Sequence, residues 1–234
     1  MIKQYKKDCD YSYTGGFYPT FELIKKHADK IRCIYVNEDA LNSDGYKLLK
    51  TKIDERKIIL SSKVFDKLKE KDNDHVIGVF DKYEEELDAS NPHVVLVNPS
   101  DQGNLGNIMR SMLAFGYKDL AIITPAADRF NPKVVRSSMG AFFSIRQETF
   151  TSFEEYQAKY HRDYYPFMLK GATFLKEVSK PQGPYALVFG NEATGLPDSF
   201  TNEHATKIEQ SDDVDSLNLA TAVVVALYEF KNNK

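Results

Sequence analysis

The chain contains no long apolar run and little cysteine. None of its 234 residues belongs to a stretch near the ~18 uninterrupted apolar residues of a membrane-spanning helix. The polar start Met1–Lys7 has no apolar segment of the kind that directs secretion. Cys9 and Cys33 form neither a CxxC pair nor a zinc-binding pattern. We therefore expect a cytoplasmic protein with ordinary thiols and no membrane partner.

Signatures of metal and dinucleotide sites are also missing. The five histidines show no metal-ligand spacing, so no metal site is predicted. The absence of GxGxxG and of a catalytic His or Tyr pattern argues against a nucleotide-dependent oxidoreductase. A net charge of −3, evenly spread along the chain, argues against indiscriminate nucleic-acid binding, and no DNA partner is expected.

The first part of the chain predicts a small α/β domain over residues 1–85. An acidic stretch at 84–88 runs into Ala89-Ser90-Asn91-Pro92 and is the best linker candidate. Before it, helix-like and strand-like patterns alternate, as in a layered α/β domain. The predicted helices are Phe21–Lys30, Tyr46–Ile53 and Val64–Lys69, and the predicted strands are Ile31–Val36, Ile58–Leu60 and Val76–Phe80.

Residues 91–234 predict a second α/β domain with a mostly parallel sheet and helices on both of its faces. Its predicted strands are His93–Val97, Leu120–Thr124, Phe142–Ile145, Tyr185–Phe189 and Thr206–Ile208. One predicted helix passes through Ile108 and Leu113 and stops at Gly116, and the last helix is Leu217–Phe230. Phe153, Tyr156 and Tyr160 fall at helical spacing, which indicates a buried stripe.

Three polar segments of this second domain follow predicted buried strands, where open α/β sheets place ligands. They are NPSDQGNLGNIMR at 98–110, LVFGNEATGLP at 187–197 and DSLNLATA at 215–222. Taken singly, each also fits an ordinary strand-to-helix turn with polar caps. On that basis Asp215 or Ser216 caps the last helix, and Asn218 lies in its first turn.

Several residues in these segments point to ligand binding. Arg110 is predicted near the start of an apolar helix, where a cation opposes the helix dipole and needs an anionic partner. Glu192 puts a carboxylate at a strand tip. Gly190 and Gly195 would allow a ligand to approach the backbone closely.

Together the three segments resemble the three motifs of the SpoU/TrmH family of RNA 2′-O-methyltransferases, over residues 91–234. The first motif is similar to Gly103–Ser111 with Ala114–Gly116, and the second to Leu187–Leu196. The third is similar to Ser216–Asn218 continued through Leu227–Glu229. The resemblance implies a SPOUT fold with a trefoil-knotted C-terminal segment. It also implies an enzyme that uses S-adenosylmethionine to methylate a ribose 2′-hydroxyl of structured rRNA or tRNA.

The resemblance assigns roles to individual residues. Those matching the family's catalytic residues are Asn104, Arg110, Glu192, Ser216 and Asn218. The predicted cofactor-binding residues are Gly190, Asn191, Gly195, Ile208, Leu217 and Asn218. A homodimer is expected, because the helices Ile108–Phe115 and Leu217–Phe230 carry more apolar surface than one sheet face needs.

Arg110 is expected to act at the reacting nucleotide. Its pKa lies above ~12 in the free side chain, so gripping an RNA phosphate while the hydroxyl loses its proton late is easier than acting as a base. Asn104 and Glu192 would orient it, and Glu192 would hold the guanidinium when RNA is absent. Ser216 and Asn218 would shape the pocket.

Two further features accompany the resemblance. The family usually enters its third motif through a Pro-Met-x-Gly-like turn, whereas residues 208–213 here read IEQSDD. The N-terminal segment is similar in layout to a ribosomal-protein-like RNA-binding domain. Its basic and aromatic start suits phosphates and unpaired bases, although a frayed terminus fits the same pattern. The residues concerned are Lys3, Lys6 and Lys7 with Tyr5, Tyr11, Tyr13 and Phe17.

A catalytically inactive RNA- or ribosome-binding module of the same fold is the alternative function. The presence of Asn104, Arg110, Glu192 and Asn218 argues against it.

Overall fold

The computed structural model describes residues 2–68, 74–169, 173–179 and 181–232. Its strands are β1 Tyr11–Tyr13, β2 Ile31–Val36, β3 Ile58–Leu60, β4 Val76–Asp81, β5 His93–Val97, β6 Asp119–Ile123, β7 Arg146–Phe150, β8 Asp163–Pro166, β9 Thr173–Phe174, β10 Tyr185–Phe189 and β11 Thr206–Lys207. Its α-helices are α1 Phe17–His27, α2 Asp44–Lys50, α3 Ser62–Leu68, α4 Gln102–Phe115, α5 Pro132–Ser137, α6 Phe153–Tyr160 and α7 Leu219–Asn232. The chain forms two compact units: an N-terminal unit of Met1–Tyr83 with Asp128–Ser144, and a C-terminal unit of Glu84–Ala127 with Ile145–Lys234.

The N-terminal unit is built on a sheet of order β1-β4-β2-β3. Strand β4 pairs antiparallel with both β1 and β2, and β2 pairs parallel with β3. Leu23 of α1 and Phe65 of α3 are buried, so both helices contribute to the core. The α/β class predicted for this segment and all three of its predicted strands are therefore present.

Predicted helix ends in this unit need small corrections. Helix α1 begins four residues before the predicted Phe21 and gives way at Ala28–Lys30 to a 3-10 turn. Helix α2 ends at Lys50, before the predicted Ile53. Residue 69, at the predicted end of the third helix, lies outside the described residues.

The segment Asp128–Ser144 belongs to the N-terminal unit, although the sequence placed it in the second domain. Phe142 and Phe143 are buried and meet Phe80 of β4, with ring centroids 6.0 and 5.2 Å away. The guanidinium of Arg136 donates hydrogen bonds of 2.6 and 2.7 Å to the buried carboxylate of Asp74. The chain passes from the C-terminal unit back into the N-terminal unit at Asp128 and leaves it again after Ser144. A single domain boundary near residue 85 cannot describe this path.

The same aromatic packing explains why the predicted strand Phe142–Ile145 is wrong. Residues Ala141–Ser144 form a 3-10 turn, and the strand, β7, begins at Arg146. Short apolar runs do not distinguish a buried strand from another buried segment. Here the apolar side chains pack against other aromatic rings, and their backbone does not join a sheet.

The two units differ in charge, contrary to the even distribution expected from the sequence. The N-terminal unit has 20 Lys and Arg residues against 15 Asp and Glu residues, a net charge of +5. The C-terminal unit has 11 against 19, a net charge of −8. A division by halves of the chain hides this difference, because the acidic residues of 84–101 fall in the first half and the basic segment 128–144 falls in the second.

The C-terminal unit contains a sheet of order β7-β6-β5-β10-β8, in which every neighbouring pair is parallel. Every residue of β5, β6 and β10 is buried, as expected for strands covered on both faces. Tyr156 and Tyr160 of α6 pack on one face, which confirms the predicted buried stripe. The α/β class with a mostly parallel sheet is confirmed.

Helices α4 and α7 pack against each other, and α7 also contacts β10. Helix α4 ends as predicted at Gly116, whose φ of 87° is the left-handed conformation that glycine adopts readily. Strands β1, β8 and β9 were not predicted, because each is short and has no clear alternation. No helix within the described ranges is long and apolar enough to cross a membrane.

Candidate active site

The three polar segments meet at the carboxyl ends of β5 and β10, which are neighbours in the sheet. The loop after β5 leads into α4, and the loop after β10 lies beside it. The third segment leads into α7 and includes its first turn, and α7 is the helix packed against α4. Parallel strands bring such loops together at one edge of a sheet, where α/β proteins bind ligands.

The loop after β10 is held in a tight turn by Asn191. Its side-chain oxygen accepts hydrogen bonds from the backbone N–H groups of Ala193 and Thr194, at 2.9 and 3.3 Å. Its backbone carbonyl accepts from the N–H of Gly195 at 2.9 Å. Its side-chain amide donates to the carbonyl of Asn98 at 2.8 Å, which ties the turn to the loop after β5.

The two glycines of this turn are required by the protein's own backbone. A Cβ on Gly190 would lie 2.1 Å from the carbonyl carbon of Gly195. Gly195 has a φ of 67°, in the left-handed region. We predicted from the sequence that both glycines let a ligand approach the backbone. At Gly190 the group that approaches is instead the backbone of Gly195.

Glu192 binds the start of α4. One carboxylate oxygen accepts from the backbone N–H and the hydroxyl of Ser100, at 3.0 and 2.8 Å. The other accepts from the N–H of Asp101 at 3.0 Å and from the side-chain amide of Asn104 at 3.3 Å. Burial raises the pKa of this carboxyl, but hydrogen bonds from backbone N–H groups, among them those of Ser100 and Asp101, and from the Ser100 hydroxyl together outweigh it, so the pKa falls to about 2. A carboxylate at a helix N-terminus also complements the helix dipole.

Asn104 and Asn218 join the first and third segments. The side-chain amide of Asn218 donates to the side-chain oxygen of Asn104 at 3.1 Å. The side-chain oxygen of Asn218 accepts from the N–H groups of Ala220 and Thr221, at 2.9 and 3.3 Å. Asn218 is therefore the N-cap of α7, and the predicted cap at Asp215 or Ser216 is wrong. Helix α7 begins at Leu219, two residues later than predicted. Asp215 and Ser216 therefore lie in the loop before the helix.

Arg110 differs from its predicted setting. It is the ninth of the fourteen residues of α4, not a residue of the first turn, so the dipole argument for an anionic partner does not apply. Its side chain is exposed and makes no hydrogen bond or ion pair with any described residue. Glu192 does not hold the guanidinium, because its oxygens are occupied by Ser100, Asp101 and Asn104.

A cavity of about 350 Å³ lies beside these loops. Its walls are formed by 167–169, by 189–196 with Asp198, and by Thr206, Ile208, Gln210, Ser216, Leu217, Leu219 and Ala222. Five residues predicted to bind a cofactor are among them, namely Gly190, Asn191, Gly195, Ile208 and Leu217. Ser216 and Glu192, predicted as catalytic, also line it, whereas Asn104, Arg110 and Asn218 do not.

Some wall residues were missed by the sequence. Phe167 stacks on Phe189 with ring centroids 4.4 Å apart, giving the cavity a flat aromatic wall. The apolar segment 164–168, next to the unpredicted strand β8, was the available signal. Ser100 was missed as a partner of Glu192, since nothing in the sequence relates residues so far apart in the chain. The acidic loop that replaces the family's usual turn still places Ile208 and Gln210 in the wall.

A parallel sheet with polar loops hydrogen-bonded around a cavity at its strand ends defines an α/β protein with a ligand site. The sequence model of the SpoU rRNA Methylase family matches residues 91–228, and the chain belongs to that family. This confirms the family predicted from the three motifs.

Relatives and solved structures are consistent with this assignment. The chain is 32% identical over 146 residues to an uncharacterized tRNA/rRNA methyltransferase of Synechocystis, covering 60% of this chain and 53% of the relative. It is 30% identical to the 23S rRNA (uridine(2479)-2′-O)-methyltransferase of Streptomyces viridochromogenes, covering 58% of this chain and 50% of the relative. The match therefore spans about half the length of these two relatives.

The fold is shared with the SpoU methyltransferase AviRb from Streptomyces viridochromogenes, whose crystal structure contains AdoMet. The TM-score is 0.82 at 22% identity, covering 95% of this chain and 90% of that one.

Proposed function

We propose that this chain transfers a methyl group from S-adenosylmethionine to a ribose 2′-hydroxyl of structured RNA. The observation that carries the proposal is the hydrogen-bonded junction of the three family motifs at one cavity. Glu192 joins the second motif to the first, Asn218 joins the third to the first, and Asn191 ties the second motif to the loop after β5. The names of relatives that act on 23S rRNA and on tRNA support an RNA substrate.

The cavity fits the cofactor by size and by chemistry. Its volume of about 350 Å³ is within the range of small-molecule sites. The stacked rings of Phe167 and Phe189 offer an apolar wall for a purine, and the backbone of Gly190 and Leu217 offers polar groups for specificity. When bound, S-adenosylmethionine supplies an activated methyl group on its sulfonium.

Titration calorimetry on the full chain tests the cofactor directly. Binding of S-adenosylmethionine, with competition by S-adenosylhomocysteine, is the expected result. An absence of heat from both molecules would support an inactive RNA-binding module of the same fold.

In the proposed mechanism Arg110 holds an RNA phosphate next to the reacting ribose. Its guanidinium is exposed and unpaired among the described residues, so no internal ion pair must break when RNA binds. A guanidinium stays protonated near neutral pH, so Arg110 positions the nucleotide and the hydroxyl proton leaves late to solvent. Glu192 stays ionised at neutral pH and is fully used as an acceptor, so its role is to position Asn104 and α4.

The N-terminal unit is proposed to select the RNA, and its net charge of +5 supports this. Lys3, Lys6 and Lys7 are exposed. The aromatic side chains of the same segment are less available, because Tyr13 is buried and the hydroxyl of Tyr5 donates to Asp128. The lysines, more than the rings, are therefore expected to contact RNA.

Replacing Lys3, Lys6 and Lys7 by Gln tests this contact. RNA affinity should fall and depend less steeply on salt, by roughly 0.7 to 0.9 in the logarithmic slope for each lost phosphate contact. Filter binding with total ribosomal RNA and total transfer RNA at several salt concentrations measures both quantities. The control is the triple replacement of Lys47, Lys50 and Lys52, which are also exposed. Equal losses of RNA affinity in both variants would show that RNA binds to exposed lysines in general and not to Lys3, Lys6 and Lys7 in particular.

A homodimer is part of the proposal. Exposed apolar side chains on α4 and α7 support it: Leu113 and Val225 are each 36% exposed and Tyr228 is 58% exposed. Tyr228 also contacts Phe115 with ring centroids 6.2 Å apart, which makes the two helices one surface. Surfaces of this kind commonly bind another protein. Sedimentation at micromolar concentration should give about twice the 26.7 kDa chain mass, and a monomer would contradict the dimer.

The trefoil knot is likewise a proposal. It is supported by the way the segment before α7 and the loop after β10 line the same cavity, and by the packing of α7 against α4. An experimental chain trace through residues 185–232 tests it. The cytoplasmic location and the absence of a DNA partner stay predictions.

A further inference from the structure

The turn after β10 has two sides with different partners. Residues 190–195 line the cavity. The side chains of Asn191 and Glu192 also form hydrogen bonds with residues 98–104. A ligand in the cavity and the start of α4 would therefore contact the same turn, residues 190–195.

A second connection runs from another part of the cavity wall. Ser216 and Leu217 line the cavity, and the next residue, Asn218, caps α7. The side-chain amide of Asn218 then donates to Asn104 at 3.1 Å. Movement of either wall would thus reach the same side chain in the first turn of α4.

Asn104 is the point where the two connections meet. Its side-chain amide donates to Glu192 and its side-chain oxygen accepts from Asn218. Its backbone N–H donates to Asp101, the N-cap of α4, at 2.7 Å. Arg110 follows six residues later on the same helix, about 9 Å along the helix axis at 1.5 Å per residue.

We propose that Glu192 and Asn104 are positioning residues that transmit occupancy of the cavity to α4, so that a bound cofactor fixes the helix carrying Arg110. The proposal rests on the proposed function in assuming that the cavity binds the cofactor. Because Asn104 is engaged at both ends of its side chain, its role is to join the two walls and not to contact substrate. The cofactor site and the RNA site are then coupled, and each ligand strengthens binding of the other.

Amide hydrogen exchange of the full chain, with and without S-adenosylhomocysteine, tests this transmission. In the unmodified protein the probe should slow exchange in two places: in peptides covering 190–197, at the cavity, and in peptides covering 98–107, which is outside its walls. A slowing of at least about fivefold in 98–107 is expected, the lower end of ordinary coupling between sites. Protection of 190–197 alone would overturn the transmission and leave the proposed function intact. Protection of neither would overturn both.

Glu192→Gln removes the charge and leaves one oxygen in place of two, so it cannot accept all five hydrogen bonds that the carboxylate accepts. The probe should still protect 190–197 in this variant but no longer protect 98–107. Glu177→Gln, the same change at an exposed residue of the C-terminal unit, should behave as the unmodified protein.

Ser100→Ala is the second variant, for use if Glu192→Gln fails to unfold cooperatively on heating. It removes only the hydroxyl bond of 2.8 Å to Glu192 and should reduce the protection of 98–107. Unchanged protection of 98–107 in a folded Glu192→Gln variant, or in Ser100→Ala, would overturn the proposal.

Discussion

Replacement of Arg110 by alanine should lower single-turnover methyl transfer by roughly a hundredfold or more, which corresponds to about 2.7 kcal/mol of transition-state stabilisation. Arg110 is exposed and unpaired among the described residues, so its removal leaves no buried charge and should not unfold the protein. Affinity for S-adenosylhomocysteine should stay nearly unchanged, because Arg110 does not line the cavity. Single-turnover rates measured together with calorimetric affinity separate the two effects.

Two further variants test whether the loss of rate depends on the guanidinium of Arg110 specifically. Arg110→Lys keeps the charge but loses the planar fork that binds phosphate, so it should not restore the rate. Lys118→Ala removes another exposed cation of the same unit and should leave the rate close to normal. A near-normal rate in Arg110→Ala would show that the active site lies elsewhere. A loss of cofactor affinity in that variant would show that Arg110 is structural.

Replacement of Gly190 by alanine should nearly abolish cofactor binding. The added Cβ would lie 2.1 Å from one backbone atom of Gly195 and 2.4 Å from the backbone N of Leu196, so the turn that lines the cavity must open. Overpacking of this kind costs about 1–3 kcal/mol or more, because backbone cannot move aside as a flexible side chain can. An affinity loss of roughly tenfold to a hundredfold or more follows from that range.

Gly183→Ala is the matched control, since a Cβ there meets no atom of the described residues within 4 Å. Calorimetry with S-adenosylhomocysteine, after a thermal unfolding check, compares the two alanine variants. Equal affinity in both would mean that residues 190–195 do not form the cofactor site.

Three strands of the parallel sheet, β5, β6 and β10, were predictable because their signal is local, whereas β7 was placed at the wrong residues and β8 was missed. His93–Val97 and Tyr185–Phe189 are continuous apolar runs, and strands covered on both faces need such runs. The three motifs could also be recognised in the sequence, because each is a contiguous segment. The family assignment follows from them and is confirmed by the match to residues 91–228.

Features that depend on distant contacts were not predictable. Phe142 and Phe143 have the composition of a strand, but their burial against Phe80 decides their conformation. Asn218 caps α7 because its side-chain oxygen reaches the N–H groups of Ala220 and Thr221, a contact that composition does not specify.

The partner of Glu192 shows the same limit at the candidate site. The sequence suggested Arg110, by charge. The structure places the N–H groups of Ser100 and Asp101 there, and backbone donors leave no signature in a sequence. The hydrogen-bond partners of side chains within the motifs are therefore known only from the folded structure.

Mapping of 2′-O-methylated nucleotides in total cellular RNA, from cells with and without the gene for this chain, tests the proposed activity most directly. At least one ribose methylation in rRNA or tRNA should disappear with the gene and return with the unmodified chain, but not with Arg110→Ala. Identical 2′-O-methylation maps in all these cells, with the chain expressed and folded, would contradict the proposed activity.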